Sequence, residues 1–442
     1  MSFYKNTVTC VLAVGLAGCG LFSKDKPVVE GERISVLSNE TIVRPDYARD
    51  AVKIALPTPH RNNEWSQSGG SASHLTGHLE SGSQLQSFWQ SGFGEGSSKR
   101  DFLISTPVIA HKVVFAIDAE GLVSAKRLDS GETIWERKVK PVNKSDRNVA
   151  LKGAGIAVAN NLVYVTTGFG GVYALDMKTG NPAWYFEAQN PIRIAPTVGK
   201  NMVLVQTIAN ELVALDAADG KELWHYESEA EGTTLVGGAS PAFDEEQDLI
   251  VAAFSNGELR AFKASTGSPL WADWLYSSRK STPMATINTI KANPVIAGNT
   301  VFAAGYNNLM TAIDIRTGNR IWQRDIGTAS QPWVSGNYMF AVANNSDLIA
   351  VENKTGRIVW STKIPLGADD DDDKTGAFIS GPILTDNRLL VTTSTGYAFA
   401  VSPYNGKIMS YVDLEKSIET APIVADGVTI LTTSNAEMYA YK

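Results

Sequence analysis

Past residue 19 this chain of 442 residues has no cysteine; Cys10 and Cys19 are its only two. A disulfide framework and a cysteine-ligated metal site are thereby excluded from the body. Histidine is scarce as well, with five residues: His60, His74, His78, His111 and His225. His74 and His78 stand four apart, but the Gly and Ser around them argue against a helix that would align them. No His-Glu-x-x-His, Gly-x-Ser-x-Gly or phosphate-loop pattern occurs. Positive charge is in deficit: the formal net charge is -7 and the pI about 5.4. A nucleic-acid binder needs a clustered basic face, which this composition does not supply. An acidic balance of this size mainly supports solubility. The apolar stretch from about Val8 to Ala17 is too short to span a bilayer.

That stretch suits a secretory signal, with Lys5 as the only charge in residues 1–19. It ends in Leu16-Ala17-Gly18-Cys19, which resembles a bacterial lipobox. The resemblance implies cleavage before Cys19 and acylation of that cysteine. Several acyl chains hold a protein on a membrane far better than one. Gly20, where no Asp stands, implies sorting to the outer membrane. The expected organisation is a signal peptide over 1–18, a lipidated terminus and tether over 19–62, and a folded body over 63–442. The tether carries Pro27, Pro45, Pro57 and Pro59, with a short helix expected near Tyr47–Ile54.

The body is written in repeats. Gly131, Gly180, Gly220, Gly267, Gly318, Gly356 and Gly406 recur at gaps of 38 to 51 residues. Six residues before each is an alanine: Ala125, Ala174, Ala214, Ala261, Ala312, Ala350 and Ala400. Four residues after the first six is a tryptophan: Trp135, Trp184, Trp224, Trp271, Trp322 and Trp360, with Ser410 in the seventh unit. Each unit has an early proline, β-branched and aromatic strands, a Gly turn that tolerates positive φ, and the Trp strand. Four short strands per unit is the signature of a propeller blade. The alanine leaves room for a large neighbour, and the tryptophan fills the gap between adjacent sheets. The fold class is all-β, an eight-bladed β-propeller of four-stranded antiparallel blades. Ala440 opens an eighth unit that lacks its outer strand. The segment around Leu85-Gln86-Ser87-Phe88-Trp89 is expected to supply it and so remove a free sheet edge.

These units resemble pyrroloquinoline-quinone-type repeats, shared by quinone dehydrogenases and by propeller lipoproteins of the bacterial outer-membrane β-barrel assembly machinery. The lipobox, the number of repeats and the opening Trp65-Ser66-Gln67-Ser68-Gly69-Gly70 resemble the lipoprotein family. Ser281–Trp360 resembles it most closely. That resemblance implies a non-catalytic scaffold with no cofactor and no metal. Its partners would be a barrel-inserting subunit, unfolded outer-membrane proteins and the membrane, with no nucleic acid. It also implies a partner-binding loop at Ile192, Arg193 and Ile194, just before Ala195-Pro196. A second family loop carries acidic residues, whereas here the matching Asn288-Thr289-Ile290-Lys291 has none. The alternatives are a quinone-dependent dehydrogenase, though its usual vicinal cysteine pair is missing, and a periplasmic ligand-binding propeller. Gly92-Phe93-Gly94-Glu95-Gly96 reads as a flexible loop rather than a ligand cradle, and Asp369–Asp373 as a solvated acidic run.

Overall fold

The structure is a computed structural model that describes residues 43–49, 51–82, 86–98, 103, 105–141, 153–229, 237–276, 287–367 and 376–442. The lipobox with Cys19, the acidic run Asp369–Asp373 and Leu85 lie outside the described residues. All regular structure among the described residues is β-strand. Eight four-stranded antiparallel sheets form the blades of a propeller. Seven are built from consecutive strands, over residues 108–138, 154–187, 197–227, 242–274, 295–324, 333–363 and 379–413.

The eighth blade joins the two ends of the body. Strand Ser87–Gly92 pairs antiparallel with Glu437–Tyr441, setting Trp89 opposite Ala440. Gln86 and Lys442 extend the ladder by exchanging backbone hydrogen bonds of 3.0 Å each. The closing strand therefore sits slightly later than the sequence suggested, and Trp89 completes the eighth Ala–Trp pairing position.

Middle strands of a blade are sandwiched on both faces, which explains their unbroken apolar runs. In Leu162–Thr167, Val163 and Val165 pack toward the first blade while Tyr164 packs toward the third. This is the two-residue alternation of a strand with both faces buried. Outer strands alternate instead: in Glu222–Glu227, Leu223 is exposed and Trp224 turns inward. The core is accordingly a ring of layers between blades.

The repeat has a direct physical meaning. Each of the first six repeated alanines pairs across the ladder with the tryptophan ten residues on, as Ala174 with Trp184 and Ala350 with Trp360. A β-bulge follows each of these alanines and sharpens the local twist. The indole then crosses to the next blade. Trp135 Nε1 donates to Met177 O at 2.9 Å, and Trp184 Nε1 to Ala217 O at 3.0 Å. Its ring lies over the next blade's turn glycine. A Cβ at Gly180, where φ is +67°, would stand 2.5 Å from Trp135 Cε3. The glycine is required twice, by backbone conformation and by the indole above it.

Two sequence expectations are corrected. No helix forms among the described residues near Tyr47–Ile54, which bend and turn instead. This stretch is spread across blade surfaces: Tyr47 donates to Glu352 at 2.9 Å, and Asp46 pairs with Arg324 at 2.9 Å. Those side-chain contacts favour an extended path over local helical bonds. Nor does the Gly92–Gly96 segment behave as a free loop. Phe93 is buried, and Glu95 N donates to Asp118 Oδ2 at 2.8 Å, so the segment is clamped between the eighth and first blades.

Candidate functional site

The innermost strand of a propeller blade has one edge facing the axis, with unpaired N–H and C=O groups that need partners. Residues 62–82 meet some of them. Trp65 exchanges backbone bonds with Ile109 of the first blade at 2.7 and 2.8 Å. Ser66 O accepts from Val158 at 2.7 Å, and the Gln67 amide pairs with both backbone groups of Val198. Ala72 O and Ser73 O accept from Phe243 and Ile296 at 2.7 and 3.0 Å. Trp333 Nε1 donates to Gly77 O at 2.7 Å. Leu79 N donates to Leu384 O, and Gly82 N to Gly427 O, both at 3.2 Å. One segment thus bonds to all eight blades in turn.

Its side chains are buried accordingly. Trp65 stacks on Trp333 with centroids 6.1 Å apart. His74 is buried and bonds Pro294 O through Nδ1 at 2.7 Å; burial lowers its pKa to about 4, against the opposing pull of that bond. His78 bonds Pro57 O at 2.6 Å and also contacts Asp386 O, and burial lowers its pKa too. The two histidines flagged in the sequence are thus parts of the strap. Among the described residues, no group of three or more His, Cys, Asp or Glu side chains is placed to hold a metal.

Above the strap, the segments that lead into the inner strands enclose a vestibule of about 290 Å³. Trp65, Ser68, Gly69 and Trp333 form part of its wall, and among the described residues Arg193, Lys291 and Glu419 are the charged ones that line it. Arg193 sits on a pinned loop. Ile192 is fully buried and Ile194 nearly so, with Ile194 O accepting from Thr166 Oγ1 at 2.6 Å. Ile208 N donates to Pro191 O at 2.9 Å on the other side. The two isoleucines are therefore anchors, and Arg193 is the member of the trio that reaches the vestibule. Its Nε is buried with no hydrogen-bond partner among the described residues.

Lys291 approaches from the fifth blade's leading segment, whose Thr289 and Ile290 are buried. Burial lowers the Lys291 pKa, and Glu419 partly offsets this. Burial pushes the Glu419 carboxyl up, with the Ser417 hydroxyl and Lys291 acting against it. Sequence reasoning found Arg193 and noted Lys291 only as a missing acid. It missed Glu419 and the strap, whose one signal was the Gly- and Ser-rich run with two histidines ahead of the first blade.

Residues 96–362 match the family model described as outer membrane protein assembly factor BamB. The chain belongs to the BamB family. The BamB of Escherichia coli (strain K12) is 29% identical over 340 residues, covering 76% of this chain and 83% of that protein. The BamB of Xanthomonas campestris is 33% identical over 250 residues, covering 56% of this chain and 61% of that one. Among solved structures, BamB from Moraxella catarrhalis matches with a TM-score of 0.66 at 18% identity, over 79% of this chain and 99% of that one. Quinohemoprotein alcohol dehydrogenase from Comamonas testosteroni matches with a TM-score of 0.67 at 14% identity, over 86% of this chain and 81% of that one. At such identities the structural likenesses show the propeller fold alone, which the BamB family shares with that enzyme.

Proposed function

We propose that this member of the BamB family is a non-catalytic scaffold of the outer-membrane protein assembly machinery. In this reading Cys19 carries the lipid anchor, and the propeller stands on the periplasmic face of the outer membrane. It docks on the periplasmic domains of a BamA-like barrel-inserting subunit and assists folding and insertion of outer-membrane β-barrel proteins. The carrying observation is Arg193: a guanidinium with a buried, unpartnered Nε, held between two buried isoleucines on the interblade-loop face. A rigidly presented arginine suits a docking hot spot, because little side-chain freedom is left to lose on binding.

The test uses the full-length protein in mild detergent and the purified periplasmic domains of the barrel-inserting subunit from the same organism. Arg193→Glu is expected to weaken binding about tenfold or more, roughly 1.4 kcal/mol or above, with an unchanged melting temperature. Equal affinity of variant and wild type would remove this face from the interface.

A further inference from the structure

The outer strands carry a repeat of their own, and one blade departs from it. The residue before the tryptophan position is apolar in every blade, as Ile134, Leu223, Leu270 and Ile321, which are all exposed. Three residues after that position six blades carry a charge: Lys138, Glu187, Glu227, Asp325, Lys363 and Asp413, while the eighth has Gly92. The fourth blade has Trp274 there, and Tyr276 two residues further on. Leu270, Ala272 and Trp274, on one face of the strand, and Tyr276 just past its end are exposed and uncharged. The Trp274 and Tyr276 rings stack with centroids 5.5 Å apart. Their backbone is held in place. Leu275 between them is fully buried, and its N donates to Gly257 O at 2.9 Å. Arg320 of the fifth blade donates to both Asp273 oxygens at 2.7 and 2.9 Å and to Trp274 O at 2.7 Å. Single exposed aliphatic residues need no explanation, whereas a contiguous exposed apolar patch marks a contact surface.

We propose that this rim lies on a lipid surface, with Trp274 and Tyr276 in the headgroup layer of the bilayer that holds the anchor. Trp and Tyr favour that layer because each has an apolar body and one polar group that stays wet. The place where the chain leaves the body favours a bilayer over a protein partner. Val43 is buried in the core between the fifth and sixth blades. Asp46 N donates to Ile358 O at 2.8 Å, and the Asp46 carboxylate pairs with Arg324 at 2.9 Å. Arg324 and Arg320 are the two ends of one outer strand, which spans roughly 13 Å. The exit toward Cys19 and the aromatic pair therefore share one sector of the rim. Cys19 to Val43 is about 24 residue steps, at most about 85 Å. A site held that close meets the bilayer far more often than one free in solution, so a small patch suffices. The inference rests on the lipid anchor at Cys19 and names the part of the ring that the anchored protein turns to the membrane.

The experiment takes the protein purified from its native membrane and reconstitutes it in vesicles of phosphatidylethanolamine and phosphatidylglycerol. An environment-sensitive fluorophore is placed on Ala272→Cys and, for comparison, on Glu136→Cys, the equivalent position of the first blade. Flotation with the vesicles reads the anchor, and quenching by doxyl-labelled lipid reads the rim. The protein is expected to float, with strong quenching at position 272 and none at 136. Trp274→Ser combined with Tyr276→Ser is expected to abolish the quenching at 272 while flotation and melting temperature stay unchanged. Equal quenching at both positions, or quenching at 272 that survives the double substitution, would overturn the proposal. A protein that floats with no quenching at 272 loses the rim contact and keeps the anchor. One that does not float loses the anchor, and the rim contact with it. If position 272 is not quenched and the double variant loses affinity for the barrel-inserting subunit, or for a second copy of itself, the aromatic pair belongs to a protein interface and the lipid contact is overturned.

Discussion

At the scale of single residues, the repeated tryptophans and glycines act as latches between blades. Trp360 is the clearest case: its side chain is buried, and its indole donates to Pro403 O of the next blade at 3.0 Å. Trp360→Ala is expected to cost about 3–5 kcal/mol, the usual range for a buried aromatic. Urea unfolding of variant and wild type measures it, and an unchanged midpoint would contradict the latch role. Trp224, with one edge in solvent, should cost less. His74 makes stability depend on pH. Its folded pKa of about 4 lies below the ordinary 6.5. The unfolded chain therefore binds more protons between those values, and stability falls as pH drops from 6.5 toward 4. The lost contribution is on the order of 3 kcal/mol. Melting temperatures across that window should fall less steeply for His74→Gln than for wild type; parallel curves would place the titration elsewhere.

Among elements, the strap and the outer strands divide the work of holding the ring. Trp65→Ala removes the ring that stacks on Trp333 and loosens the strap where it enters the axis. Hydrogen exchange should accelerate at the amides of Ile109 and Val158, which donate to strap carbonyls. Unchanged rates there would show that the strap holds without its indole. The outer strand Ile408–Asp413 is the weak edge. Ser410 occupies the latch position opposite Ala400, and Met409 and Tyr411 are exposed. Its amides should exchange faster than those of Ile358–Lys363, where Trp360 is in place. The blades were legible in the sequence because each repeats one packing problem: an alanine opposite a tryptophan, and a glycine under it. Closure by the segment with Trp89 was legible for the same reason, since Ala440 lacked its pair. The strap was not. Its contacts with the blades are largely backbone hydrogen bonds, which leave little trace in residue type. Glu419 was hidden for another reason: only ring closure brings it to the same cavity as Lys291.

For the whole molecule, eight similar blades place eight leading segments around one axis, so a surface assembled from distant parts of the chain becomes continuous. The strap bonds to each blade in turn, and its Trp65, Ser68 and Gly69 line the cavity. Arg193 is then presented by a frame whose anchors, Ile192 and Ile194, belong to the core between the second and third blades. A rigid ring of this kind loses little freedom on docking, which suits a scaffold. The most direct test recovers tagged wild-type and Arg193→Glu proteins from their native membrane in mild detergent and identifies the co-purifying proteins by mass spectrometry. The expected result is an outer-membrane barrel-inserting subunit with wild type, strongly reduced with Arg193→Glu at equal protein levels. Reproducible absence of that subunit from the wild-type sample, or its equal recovery with both proteins, would contradict docking through this face.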